Sequence, residues 1–256
     1  MNLSRFFALC ILVALSLSAH AAGRLADIAI YDRALGRELP VHWHDGRPYV
    51  VGQPGSEYQI VVRNRVGEDL LAVVAVDGVN VVTGETANPQ QGGYIISPWQ
   101  QLDIRGWRKS LGEIASFYFT SLADSYAART GRPDDVGVIG VALYRRKYDY
   151  LPYSNIGPEE PYDAKSAKGK AQAARPKNGY AQPAAPLGTG HGRREYSQAQ
   201  WGEFERSTSE PVEVVAIYYD SYPNLVAQGV LYSPNAPRDP YPFPSAFVPD
   251  PLGRGW

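Results

Sequence analysis

The sequence predicts a mainly β protein, an antiparallel β-sandwich of jelly-roll-like form. Over residues 25–147, short runs rich in branched aliphatic and aromatic residues are separated by turn residues. Within residues 58–63, apolar and polar side chains alternate, as in a strand with one buried and one wet face. No sustained 3.6-residue periodicity competes in this region, and residues 121–128 are expected to form at most a helical turn.

The body, residues 22–150, contains ten predicted strands. Residues 70–76 are apolar on both faces, which predicts a central strand. The dipeptides Asp77-Gly78 and Gly92-Gly93 are typical of hairpin turns, because these residue types tolerate positive φ angles. The predicted strands are 27–31, 38–43, 47–51, 57–63, 70–76, 79–82, 94–96, 101–104, 114–120 and 136–144.

The chain after residue 150 has a different composition and contains 15 of the 21 prolines. Residues 151–210 are predicted to be a low-complexity, mobile insertion, since residues 159–186 have too few branched aliphatic side chains to offset the entropy of ordering. Residues 211–220 are apolar on both faces, so we expect this late strand to join the sheet of the body. The insertion would then be an excursion from one domain.

The last two predicted units complete the chain. Residues 211–231 comprise the late strand and a short helix, 222–228, with Ser221 as its N-cap and Gly229 after its end. Residues 232–256 form a tail rich in proline and aromatic residues. Such a tail can strap over apolar surface of its own chain or dock in the groove of a partner.

Residues 1–21 have the pattern of a secretory signal peptide. Arg5 precedes an apolar run that is too short to anchor the chain in a bilayer, and small residues stand at Ala19 and Ala21. Cleavage after Ala21 would remove Cys10, the single cysteine, and would leave a mature chain without disulfides, CxxC motifs or cysteine-ligated metals. The protein is therefore expected to be periplasmic or secreted.

The charge balance and the remaining hydropathy restrict the expected partners. The chain carries 25 Lys and Arg against 26 Asp and Glu, which argues against a nucleic-acid binder. After the signal, no stretch is apolar for long enough to predict a membrane span. The expected partners are an envelope protein or glycan, and no cofactor is predicted.

His42, His44 and Asp45 form the only predicted metal-like cluster. In a strand, the two imidazoles point to the same face, a spacing that can chelate a metal ion. Two ligands are too few for a tight site, so Asp45 or His191 would have to complete it. The alternative is a pair of surface histidines before an Asp-Gly turn.

Aromatic and basic residues provide the candidate binding positions. Trp99 and Trp107, followed by Arg108, lie eight residues apart and can form a sugar-stacking platform or can plug the open ends of the sandwich. Residues 188–192 read Gly-x-Gly-x-Gly, but no strand or helix is predicted to flank them, so we expect a loop rather than a phosphate cradle. Arg193 and Arg194 beside it are candidates for holding an anion.

No complete catalytic constellation is present in the sequence. There is no Gly-x-Ser-x-Gly elbow, and the mature chain would have no thiol nucleophile. Asp77 is the most notable carboxylate because it follows the buried strand 70–76 directly. It can act as a catalytic group or as an Asx residue that opens the turn.

Several segments resemble a family of uncharacterised exported bacterial proteins. The resemblance covers roughly residues 25–145 and implies one recurrent architecture, but it implies no activity, cofactor or catalytic residue. Its motifs include Asp45-Gly-Arg-Pro-Tyr-Val, Gly55-Ser-Glu-Tyr, Val76-Asp-Gly-Val-Asn-Val, Gly106-Trp-Arg-Lys-Ser, Asp124-Ser-Tyr-Ala-Ala-Arg-Thr-Gly-Arg-Pro and Val136-Gly-Val-Ile-Gly-Val.

The sequence as a whole predicts an exported, non-enzymatic binding or structural module of the bacterial cell envelope. The alternative is a metal-dependent or glycan-directed hydrolase that uses His42, His44 and Asp45.

Overall fold

The computed structural model describes residues 21–148 and 185–232. Residues 1–20, 149–184 and 233–256, which include most of the predicted signal peptide, much of the predicted insertion and most of the predicted tail, lie outside the described residues. Two β-sheets pack together, which confirms the predicted β-sandwich. The strands are β1 (Ala21–Ala22), β2 (Ala26–Asp32), β3 (Arg37–Glu38), β4 (His42–His44), β5 (Arg47–Val51), β6 (Glu57–Asn64), β7 (Leu70–Val76), β8 (Val79–Asn80), β9 (Tyr94–Ile96), β10 (Gln101–Ile104), β11 (Gly106–Arg108), β12 (Glu113–Ser121), β13 (Val138–Arg145), β14 (Leu187–Tyr196) and β15 (Glu213–Asp220).

Short helical segments accompany the strands. Residues 121–128 were expected to form a helical turn, and the structure places a 3₁₀ turn at Leu122–Asp124 and helix α1 at Tyr126–Arg129. A second 3₁₀ turn spans Pro133–Asp135, and helix α2 spans Tyr222–Ala227.

The strand pairs of the first sheet are antiparallel, whereas the second sheet contains one parallel pair. The first sheet has the order β1-β2-β6-β12-β11, with β3 on β2, β10 on β6 and β14 on β12, and its pairs are antiparallel. The second has the order β4-β5-β15-β13-β7-β8, with β9 on β7. Its β5 and β15 are parallel, a pairing that the antiparallel expectation did not include.

The core lies between the sheets and is built from their inward-facing aliphatic and aromatic side chains. Tyr58, which is fully buried, stacks on Phe119 with ring centroids 4.3 Å apart and on Phe117 at 5.4 Å. Such aromatic contacts add to the burial of apolar area that stabilises the sandwich.

Strand β15 lies between β13 and β5, so the late strand joins the body as predicted. Helix α2 begins after Ser221, as expected, but the Ser221 side chain makes no capping hydrogen bond. The carboxylate of Asp220 instead accepts from the Ser221 N–H at 2.7 Å, from Asn224 Nδ2 at 2.8 Å and from the Leu187 N–H at 3.1 Å. Asp220 thereby joins α2 to the start of β14.

The prediction of a loop at residues 188–192 is wrong, because these residues belong to β14. Its glycines make room for an aromatic ring of the neighbouring strand. A Cβ at Gly190 would stand 2.2 Å from Tyr118 Cζ, and a Cβ at Gly192 would stand 2.4 Å from Ser116 Oγ. The glycines of the Gly-x-Gly-x-Gly pattern therefore allow β14 to pack closely against side chains of β12.

One of the two predicted hairpin dipeptides adopts the expected conformation. Asp77 and Gly78 have φ angles of 51° and 71°. The prediction is wrong for Gly92-Gly93, neither of which has a positive φ. A Cβ at Gly93 would stand 2.2 Å from the Ala72 carbonyl oxygen, so this glycine permits a close approach of two backbones.

Candidate functional site

The predicted metal cluster lies at the β4 edge of the second sheet. His44 Nε2 is 3.5 Å from Asp45 Oδ2, and both side chains are open to solvent. His191 is on β14 of the first sheet. Across residues 21–148 and 185–232, no group of three His, Cys, Asp or Glu side chains is placed to hold a metal ion. The described residues thus bring no third ligand to His42 and His44.

The structure separates the two tryptophans of the predicted sugar platform. Trp107 is 2% exposed, meets Phe117 edge-on at 5.2 Å and donates its Nε1–H to the Gly190 carbonyl at 3.1 Å. Trp99 is 69% exposed. Trp107 is thus a core residue, the alternative considered for it, and the two indoles do not form a joint platform.

The predicted anion-holding pair, Arg193 and Arg194, is already engaged with carboxylates. Arg193 donates to both carboxylate oxygens of Glu57, at 2.8 and 3.0 Å, and this bond lowers the pKa of Glu57. Arg194 Nη1 lies 3.1 Å from Glu113 Oε2. Neither guanidinium presents an unmatched charge, so the structure favours cross-strand pairing as their role.

A groove of about 1220 Å³ opens where β9, β10 and β11 approach the chain that follows β14. We call residues 197–206 the wall segment and this cavity the Trp201 groove. Apolar and aromatic side chains line much of it, among them Tyr94, Leu102, Ile104, Trp201 and Phe204. A concave surface that combines apolar and polar lining residues is the default candidate for a ligand site.

Arg108 is the one predicted binding residue that lies in the Trp201 groove. Its guanidinium stands 5.7 Å from the centre of the Tyr94 ring and donates to Tyr94 Oη at 3.3 Å. It also donates to Ser197 Oγ at 3.2 Å. Arg108 therefore holds the wall segment against β9 and fixes the shape of one end of the groove.

The wall segment is fixed at both of its ends. At one end the Ala199 N–H donates to the Leu111 carbonyl at 2.7 Å, and at the other the Lys147 N–H donates to the Glu205 carbonyl at 2.8 Å. Phe204 packs on a small cluster of buried side chains of the second sheet, formed by Leu71, Val73, Ala142 and Tyr144.

Trp201 lies between these anchors and is 85% exposed. An indole held open to solvent in the wall of a groove is an unusual use of the largest apolar side chain. The sequence does not predict this position, because the composition of residues 151–210 favours a mobile insertion. The available signal was Trp201 and Phe204, two aromatic residues in an otherwise polar stretch.

Asp77 is buried rather than placed in a cleft. Its carboxylate, fully excluded from solvent, accepts from the Tyr219 hydroxyl at 2.6 Å, from the Gly137 N–H at 2.9 Å and from the Thr189 N–H at 2.7 Å. Burial raises the pKa of Asp77 to about 6, and these hydrogen bonds act in the opposite direction. A substrate could not reach this group without opening the core.

The hydroxyl groups around Asp77 form a directed chain. Since Tyr219 donates its single proton to Asp77, Thr189 donates to Tyr219 at 2.7 Å, and Tyr58 donates to Thr189 at 2.7 Å. We call these four residues the Asp77 cluster. It joins the turn after β7 to β6, β14 and β15. The Asp77 carboxylate bonds to residues distant in sequence and not to the backbone of its own turn, so its role is structural but is not that of the predicted Asx residue.

Neither the comparisons with known proteins nor the helices of the structure indicate the role of the protein. No family model, curated protein or solved structure matches the chain. Within the described ranges, no helix is long and apolar enough to cross a bilayer. The Trp201 groove is therefore the feature from which a function can be inferred.

Proposed function

We propose that the protein is an exported, non-enzymatic binding module of the bacterial cell envelope that takes a glycan chain into the Trp201 groove. The observation that carries the proposal is the 85% exposed indole of Trp201 in a groove of about 1220 Å³. An aromatic face in such a position offers apolar contact area without the entropic cost of ordering a long side chain.

The other groove side chains supply the polar contacts that a sugar requires. Gln198 and Gln200 line the groove beside Trp201 and offer amide donors and acceptors for hydroxyl groups. Arg108 is already fixed by Tyr94 and Ser197, so its position is set before a ligand arrives. A flat aromatic face beside fixed polar groups fits a chain of sugar rings.

The contacts of the carboxylates in the groove favour binding of a glycan over its hydrolysis. Of the residues that line the groove, only Asp103 and Glu205 are acidic. Asp103 accepts a hydrogen bond from Gln101 Nε2 at 2.8 Å, and Glu205 pairs with Lys147. Glycoside hydrolysis ordinarily uses two carboxyl groups that flank the scissile bond, and the contacts of Asp103 and Glu205 indicate local pairing as the role of each.

Isothermal titration calorimetry with a panel of soluble envelope oligosaccharides tests the proposal. Trp201→Ala should weaken binding of the retained oligosaccharide by about tenfold or more, as truncation of a central aromatic contact does. Trp43→Ala is the matched control, because Trp43 is 57% exposed on the distant β4 edge. Failure of every oligosaccharide to bind, or equal losses in both variants, would overturn the proposal.

A further inference from the structure

A second, smaller cavity lies between α1 and β14. It has a volume of about 290 Å³ and is lined by Asp124, Tyr126, Arg129, Thr130 and His191. We call it the His191 pocket. None of these residues lines the Trp201 groove, so the inference drawn from this pocket does not depend on the glycan proposal.

The imidazole of His191 is held in place by an aromatic column. Its ring stacks on Tyr126 with centroids 5.5 Å apart and an interplanar angle of 28°. Tyr126 in turn packs on the buried ring of Trp107 at 4.7 Å. Because the base of the column is in the core, His191 and Tyr126 give the pocket one rigid wall.

Positive charge surrounds His191. Burial lowers the pKa of His191, and the nearby Lys109, Arg194 and Arg129 lower it further. Arg194 is compensated by Glu113, whereas the Arg129 guanidinium and the Lys109 ammonium make no hydrogen bond or ion pair with any described residue.

The one acidic residue of the pocket does not balance this charge. Asp124 accepts a hydrogen bond from the Ser121 hydroxyl at 2.9 Å and contributes a single negative charge beside Arg129. Lys109 lies outside the pocket lining, where it borders the Trp201 groove, but its charge acts on His191. The Arg129 guanidinium therefore faces the cavity without a partner among the described residues, and the Lys109 charge adds to the positive field at His191. An unmatched guanidinium group in such a place, with further positive charge nearby, is suited to receive an anion.

We propose that the His191 pocket binds the phosphate or carboxylate group of an anionic ligand. Arg129 supplies the planar pair of N–H donors that matches either group, and Lys109 adds electrostatic attraction from outside the pocket lining. A bound anion also compensates a proton on His191, so the imidazole becomes a third donor.

The imidazole protons report on binding directly. The pKa of each histidine is measured by NMR on the purified protein in phosphate and in chloride at equal ionic strength. Phosphate should raise the pKa of His191 by about half a unit or more, because a nearby negative charge favours the imidazolium. His42 and His44 lie on β4, in the other sheet, and serve as internal controls.

Two substitutions separate anion binding from a general effect of salt. Arg129→Gln should abolish the phosphate-induced shift while the urea midpoint stays the same, because the Arg129 side chain bonds no described residue. Asp124→Asn should tighten phosphate binding by about twofold or more, since it removes the opposing charge and keeps an oxygen for Ser121. No shift at His191, an equal shift at His42, His44 and His191, or weaker binding by Asp124→Asn would overturn the proposal.

Two probes distinguish a small free anion from an acidic group of a polymer. Inorganic phosphate and an oligogalacturonate, a chain of carboxylated sugars, are titrated in parallel against the His191 signal. A response to the oligosaccharide at tenfold lower concentration assigns the site to an acidic group of a polymer. An equal or weaker response assigns it to a small free anion, and silence with both probes overturns the proposal.

Discussion

Lowering the pH from about 8 to about 3 places a proton on Asp77 inside the core, and this uptake should increase the stability of the fold. In the unfolded chain the pKa of Asp77 has its ordinary value of 3.8, whereas burial raises it to about 6 in the folded state. The folded protein therefore binds this proton at a higher pH than the unfolded chain does. The gain begins as the pH falls through 6 and is complete below 3.8.

The magnitude follows from the same two values. Each pKa unit corresponds to about 1.4 kcal/mol, so the rise from 3.8 to about 6 corresponds to about 3 kcal/mol between the charged and the neutral form. This is a large fraction of the stability of a typical domain. The hydrogen bonds from Tyr219, Thr189 and Gly137 limit the cost of the buried charge and do not abolish it.

Urea unfolding of the wild type and of Asp77→Asn over this pH range isolates the effect, because the amide does not titrate. Other groups also change protonation state, but they do so in both proteins and cancel in the difference. Glu57, for example, has a lowered pKa and loses its stabilising charge in acid. The wild type should gain about 3 kcal/mol relative to the variant as the pH falls. A constant difference would mean that the hydrogen bonds balance the cost of burial, and a wild type that gains as the pH rises would mean that they outweigh it; either result would refute a raised pKa of Asp77.

Two further predictions concern backbone positions. Gly190→Ala should lower the free energy of unfolding by about 2 kcal/mol, because the new Cβ would stand 2.2 Å from Tyr118 Cζ. Adding Tyr118→Ala should restore part of this loss in urea unfolding, and strict additivity of the two changes would contradict the packing explanation. Trp99 has a φ of 59°, so Trp99→Gly should raise the free energy of unfolding by about 0.5–1 kcal/mol. Trp43→Gly, in the extended strand β4, should lower it, and a loss at both positions would show that Trp99 is not strained.

Strands with a strong apolar pattern could be predicted from the sequence. The bounds of β5, β7, β9 and β10 coincide with the predicted ones. Strand β14 was not predicted because glycine is a poor strand former. Glycine is needed at position 190 because the ring of Tyr118, on another strand, occupies the space that a side chain would fill. A local sequence pattern cannot predict a contact between residues that are distant in sequence.

The candidate sites show the same limit. Trp99 and Trp107 are equivalent by sequence, and their different burial is decided by tertiary partners, Gly190 and Tyr126, that Trp107 alone contacts. Trp201 stands in a segment whose composition favours disorder, yet backbone hydrogen bonds at both ends fix that segment. The groove exists because the wall segment crosses from the first sheet to the second, which no spacing of residues indicates.

The central claim, that the Trp201 groove is the ligand site, is tested most directly by the indole Nε1–H signals during titration with the oligosaccharide that binds most tightly. The account predicts that the Trp201 signal shifts in a saturable manner while those of Trp43, Trp99 and Trp107 stay in place, since these three do not line the groove. Saturable shifts at Trp43 or Trp99 with an unchanged Trp201 would place the ligand elsewhere and would contradict the claim.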